Sequence, residues 1–226
     1  MDVGAYIAAS GAIAVQRDTE SITHNLANSS TPGFKRLLNQ VESVPFPFQN
    51  GRARPPDPLA FAALGGQVRD RSQGELERTG EPLDLAIQGP GHFVLRTSAG
   101  TQLTRDGHFH LDPSGRLVSR TGLPVEKAGG GEIRLEGTEN LLVLPNGEIR
   151  AAGQTVGRIE IVDEQGNPIA EGKTQVAQGY LEGSSVKPFE EMVRLLERLR
   201  AYQSYMRLIN GFDELEEKVI LEMNRT

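Results

Sequence analysis

The 226-residue chain has no cysteine, which excludes disulfides, thiolate metal sites, iron–sulfur clusters and a thiol nucleophile. It has no tryptophan, and aromatics make up only 5% of it. No run approaches the roughly 18 apolar residues needed to span a bilayer, and the stretch from Leu141 to Leu144 is only strand-sized. The first positive charge is Arg17, so the basic start and apolar block of a secretory signal are missing and no cleaved signal is expected. An excess of positive charge is missing too. Lys plus Arg number 24 against 30 Asp plus Glu, a net charge of −6, which disfavours non-specific binding to nucleic acid or an anionic membrane. Glycine (26) and proline (13) are plentiful, which fits many turns between short strands with helices confined to part of the chain. The length suffices for one large domain or two small ones with a core that needs no disulfide.

Residues 1–27 read as a helix whose small or apolar positions, Ala5, Ala8, Ala12, Val15, Thr19, Ile22 and Leu26, alternate by threes and fours. The stripe is narrow and mostly alanine, so this helix needs a partner helix. The far end supplies a candidate. From Pro188 onward, Met192, Leu195, Leu199, Tyr202, Met206 and Ile209 repeat the spacing, with Glu190, Arg194, Glu197 and Arg198 outside the seam. At Gly211 the register slips, which predicts a bend or a local change of winding. A pair of helices packed on a domain core and an intermolecular coiled coil both satisfy this pattern.

Between the helices, short alternating strands are separated by turn residues. Asp112-Pro113-Ser114-Gly115 divides Phe109 and Leu111 from Leu117 and Val118, and Asn146-Gly147 divides Leu142 and Leu144 from Ile149. The hairpin signals favour antiparallel pairing, and the absence of helical patterns between strands argues against a doubly wound sheet. The expected fold class is α+β. Terminal helices (1–35 and 183–226) pair as a coiled-coil-like assembly layer, an irregular linker spans 36–65, and a mainly antiparallel β domain spans 66–182. The Pro-rich stretch 45–58 reads as a loop.

No constellation carries chemistry. Gly172-Lys173-Thr174 resembles the end of a phosphate loop, but Asn167 stands where its first glycine is required. Gly89-Pro90-Gly91 lacks the third glycine of a dinucleotide fingerprint. His108 and His110 share one side of a strand, where His92 could join them around a metal, but no further ligand is fixed by spacing and a polar strand face accounts for them. No catalytic, cofactor or metal residues are assigned.

The informative segment is Ala27-Asn28-Ser29-Ser30-Thr31-Pro32-Gly33-Phe34-Lys35, placed where the first helix must stop. Asn28 can close the helix in the left-handed conformation, Pro32 and Gly33 suit the two central positions of a type II turn, and Phe34 returns as an apolar anchor. An ordinary helix stop has the same composition.

These residues resemble the axial proteins of the bacterial flagellum, the rod and hook family, which carry Ala-Asn-x-x-Thr-x-Gly-Phe-Lys after a heptad helix. Ala27, Asn28, Thr31, Gly33, Phe34 and Lys35 match. So do the runs from Leu83 to Gly91, Thr104 to Gly107 with Asp112 and Gly115, and Gly179 to Val186, followed by Glu191-Met192 and Arg200-Ala201-Tyr202. Ser185 stands where the family usually has Asn, and His92 where an aromatic is usual. The resemblance, most like the proximal-rod members, implies a structural subunit with no enzymatic activity and no cofactor. It implies polymerisation with other rod proteins and copies of itself, transmission of torque, and location in the periplasm-spanning rod of the basal body. It also implies export through the flagellar type III apparatus without signal cleavage. Distal-rod or hook-type members are the near alternative; a β-rich enzyme or binding module is the alternative of another class.

Overall fold

The computed structural model describes residues 3–45, 60–170 and 172–223. They form two compact units, one made of 1–27, 36–70 and 187–226, the other of 28–35 and 71–186.

The first unit contains helix α1 (Val3–Ala27), strands β1 (Leu37–Pro45) and β2 (Ala60–Arg69), and helix α2 (Pro188–Met223). The helices run antiparallel, and α1 admits the large side chains of α2 because it is small-residued where they meet. A methyl added at Gly4 would lie 2.7 Å from the Phe212 ring, and one at Gly11 would lie 2.5 Å from the ring of Tyr205. One further step of seven along each helix brings Asp18 to Arg198, with Oδ2 and Nε 2.7 Å apart. The next reaches Asn25 and Glu191, both buried, each tied to the start of β1. The Asn25 side-chain amide donates to the Leu37 carbonyl and accepts the Leu37 N–H, both at 2.8 Å, while Arg36 Nε lies 2.7 Å from Glu191 Oε1.

On α1 the expected stripe holds: Ala8, Ala12, Val15 and Ile22 are buried, and Ala5, Thr19 and Leu26 are half-buried. On α2 it does not. The row turned inward is Glu191, Leu195, Arg198, Tyr202, Tyr205, Ile209 and Phe212, whereas the expected seam residues Met192, Leu199 and Met206 are exposed. Helix α2 is apolar on two sides, and one residue, about 100° of rotation, separates the rows. The sequence pattern joined half of each. At Gly211, where a bend or a local change of winding was expected, α2 continues as α-helix.

The expected irregular linker is corrected as well. β1 and β2 form an antiparallel ribbon from Leu37↔Arg69 to Pro45↔Ala60, with a register shift between Gln40 and Val41. Pro45 closes β1, a position where its missing N–H is tolerated. The remainder of the expected loop, 46–58, lies outside the described residues. A polar row on α1 holds the ribbon: Asn39 donates to the Arg17 carbonyl (3.0 Å), Ser21 to Asn39 Oδ1 (3.1 Å), and Gln67 to Ser21 Oγ (3.0 Å). These polar contacts draw residues 36–70 into the helical unit, while 28–35 and 183–186, expected there, belong to the β unit.

The second unit contains β3 (Leu76–Arg78), β4 (Leu85–Gln88), β5 (His92–Thr97), β6 (Gly100–Thr104), β7 (Phe109–Leu111), β8 (Leu117–Ser119), β9 (Leu142–Val143), β10 (Glu148–Ala151), β11 (Gln154–Arg158), β12 (Ile161–Val162), β13 (Gln175–Gln178) and β14 (Tyr180–Glu182). Its small sheets are ordered β11-β10-β9, β12-β5-β6, β13-β4, β14-β3 and β7-β8, and every pairing is antiparallel. The inward residues of these short strands make one core around Leu85, Ile87, Phe93, Leu117, Val125 and Ile149, with Phe93 and Phe109 edge to face at 5.1 Å. Between β7 and β8, the Asp112 carboxylate accepts the N–H groups of Ser114 and Arg116. That bonding, led by the Arg116 N–H, holds Asp112 below the usual carboxylate range.

The close fit of Tyr205 against α1 yields a prediction. Gly11→Val is expected to lower the helical circular dichroism signal and to speed hydrogen exchange in α1, while the melting of the β unit is unchanged. A branched Cβ cannot occupy the space the Tyr205 ring fills.

Candidate functional site: a buried joint of three motifs

The motif after α1 is a tight turn. The Asn28 carbonyl accepts the Thr31 N–H (3.1 Å), and the Thr31 carbonyl accepts that of Phe34 (3.2 Å) around Pro32 and Gly33, whose φ is 67°. Asn28 itself is not left-handed: non-glycine residues with positive φ among the described residues are Asn140 and Ala152. Its side chain instead bonds the Thr31 hydroxyl, Oδ1 to Oγ1 at 3.2 Å, so the polar turn rather than a left-handed cap follows the helix. A Cβ at Gly33 would lie 2.3 Å from the Arg105 carbonyl carbon, so this position requires glycine for both its φ and its space.

The turn delivers Lys35 to Glu182, whose side chain is 0% exposed. Lys35 Nζ donates to Glu182 Oε1 and to the Ser72 carbonyl, the latter at 2.6 Å. Arg105 Nη1 donates to Glu182 Oε2 at 3.0 Å, and the Gly74 N–H donates to Oε1 at 2.9 Å. The Glu182 backbone carbonyl accepts the Gly33 N–H at 2.7 Å. Arg105 Nη1 and Nη2 also donate to the Ile87 and Gly89 carbonyls, at 3.2 and 2.6 Å, while its buried Nε has no partner among the described residues. One buried carboxylate thus binds two cations from distant parts of the chain, which offset the cost of burying its charge. The Phe34 carbonyl accepts the Ser185 N–H at 3.0 Å, so the first and last motifs are joined on either side of the ion pair.

The motif residues after Ala27 therefore come together with the segments around Arg105 and Glu182, while Ala27 is the last residue of α1. Neither Arg105 nor Glu182 was singled out as a partner for Lys35 by sequence reasoning. The signal was available: each of these charges belongs to one of the motifs, and each has a glycine within two residues. The three histidines are not gathered into one site. His108 Nδ1 lies 2.9 Å from Asp84 Oδ1, His110 is exposed on β7, and His92 begins β5. Among the described residues there is no group of three or more His, Asp or Glu able to hold a metal ion. Gly172-Lys173-Thr174 forms a turn in which the Lys173 N–H bonds the Ala170 carbonyl.

The joint consists of one buried carboxylate held between two cations within the β unit. Glu182→Ala is expected to destabilise the β unit to urea by about 3 to 5 kcal/mol, because it leaves Lys35 and Arg105 without their shared anion. A loss under about 1 kcal/mol would show that the pair is replaceable by water.

Comparison with known proteins bears on the same segments. A family described as flagella basal body rod protein matches residues 6–35. The flagellar hook protein FlgE/F/G D1 domain matches 86–151, and the flagellar basal body rod FlgEFG protein C-terminal family matches 177–223. The flagellar basal-body rod protein FlgF of Caulobacter vibrioides is 29% identical, covering 100% of this chain and 99% of its own. FlgF of Mesorhizobium japonicum is 32% identical over 88% of each chain. The flagellar basal-body rod protein FlgG of Buchnera aphidicola is 30% identical, over 95% of this chain and 97% of its own. With Lys35, Arg105 and Glu182 each lying within one of the matched segments, this chain belongs to the flagellar basal-body rod protein family.

Proposed function

We propose that the chain is a structural subunit of the proximal rod of the bacterial flagellar basal body, polymerising with other axial proteins and transmitting torque. The observation that carries this reading is the second apolar row of α2. Phe189, Met192, Leu196, Leu199 and Met206 follow a heptad spacing, and their exposure runs from 37% at Met206 to 79% at Phe189. Burial of each such side chain against a complementary helix is worth about 1.5 to 3 kcal/mol, so the row favours association where a neighbouring protein supplies the matching surface. In a family of rod proteins, the partners that suit it are helices of neighbouring subunits, completing a coiled-coil-like layer. A subunit of this kind needs no catalytic site, passes to its place through the flagellar type III apparatus, and keeps its N-terminus uncleaved. A distal-rod position is the second reading, favoured by the similarity to FlgG of Buchnera aphidicola.

Leu196→Asp is expected to abolish rod assembly and motility while leaving the melting of the β unit unchanged, because it sets a charge in the outer row at a side chain that is 57% exposed. Motility equal to wild type in a strain carrying this variant would remove the row from the interface. Sedimentation separates the two rod positions. The pure chain stays monomeric at micromolar concentration and assembles when neighbouring rod proteins are added, whereas spontaneous long filaments would assign it to the distal rod or hook type.

A further inference from the structure

His92 occupies an unusual place for an ionisable group. It stands opposite Val162 in the β5–β12 pair, and its Nδ1 is buried with no hydrogen-bond partner among the described residues. An imidazole nitrogen shut away from water and from acceptors is stable only while it carries no proton that needs a partner. In the β5–β6 pair Phe93 stands opposite Thr104, so Arg105 comes next in register to His92, and the charges that act on the imidazole belong to the buried joint and one outer loop. Arg105 and Lys35 disfavour a further positive charge there, whereas Glu164 and Glu182 favour one. Both carboxylates are already engaged, Glu182 by Lys35 and Arg105, and Glu164 by Arg71 at 2.6 Å.

We propose that His92 makes the joint around Glu182 acid-sensitive: a proton taken up by its imidazole sets a third cation beside Arg105 and Lys35 and loosens the packing of β5 against β12. The folded chain holds the imidazole neutral, and burial, followed by the Arg105 charge, lowers its proton affinity below the ordinary value of 6.5. The unfolded chain therefore binds the proton first. The stability that rests on neutral His92 is complete above 6.5 and is lost as the pH falls through the lower folded value.

The full-length chain tests this in two ways. Its histidine resonances, assigned with His92→Gln, are followed by NMR from about pH 8 to about pH 5, and the melting midpoint is measured at about pH 7.5 and about pH 5.5. The variants are His92→Phe, His92→Gln and, as a control, His110→Gln. His92 is expected to titrate below 6.5. The midpoint is expected to fall on acidification in wild type and His110→Gln, and by no more than half as much in both His92 variants. Titration of His92 at or above 6.5, or an equal fall in all four proteins, would overturn the proposal. Should the His92 variants fail to fold, the resonances are assigned by through-bond experiments and the titration of the unaltered chain decides.

Discussion

A carboxylate with no access to water survives in a protein interior only with opposite charge and hydrogen bonds arranged around it, and Glu182 sets that condition for the β unit. Its two oxygens demand cations, which arrive from positions 35 and 105, and a backbone N–H, which arrives from Gly74. To bring Lys35 there, the chain after α1 must turn within a few residues, which is why Pro32 and Gly33 precede it. To bring Arg105 there, the turn must pass so close to the Arg105 backbone that Gly33 has no room for a side chain. The electrostatic demand of one residue thus accounts for the turn, its glycine and the position of two charged side chains.

The helical unit also buries a carboxylate, Glu191 against Arg36, but over the rest of its contact it relies on small residues. Gly4 and Gly11 let the rings of Phe212 and Tyr205 approach the α1 backbone, and the alanines beside them bury little area each. A pair joined this way is modestly stable and leaves the outer apolar row of α2 facing water. A helical unit with an uncovered apolar row and a β unit braced by a buried ion pair fit the proposed role of a subunit completed by neighbouring helices.

Much of this was legible in the sequence. The ends of α1 and the start of α2 follow from the heptad stripe, the stop before Asn28 and the proline at 188. The hairpin turns at 112–115 and 146–147 follow from residues that accept positive φ. The side of α2 that meets α1 was not legible, because Met192, Leu199 and Met206 are as apolar as the residues that face inward, and Glu191 and Arg198 do not look like seam residues until their partners Arg36 and Asp18 are placed. The ribbon was hidden because its glycines and prolines resemble a loop and its anchors, Ser21, Asn25 and Asn39, are polar. The joint was hidden because 147 residues separate Lys35 from Glu182, and no local pattern relates them.

Hydrogen exchange at the Gly33 and Gly74 amides tests the central claim most directly, since both amides donate to Glu182. If the buried carboxylate makes the turn part of the β unit, both amides exchange only through the opening that also exposes the core amide of Leu85, which is bonded to the Gly107 carbonyl. In Glu182→Ala the two then exchange earlier, before the core opens. Exchange of Gly33 and Gly74 in the unaltered chain at the rate of an unprotected loop, while Leu85 stays protected, would contradict the account.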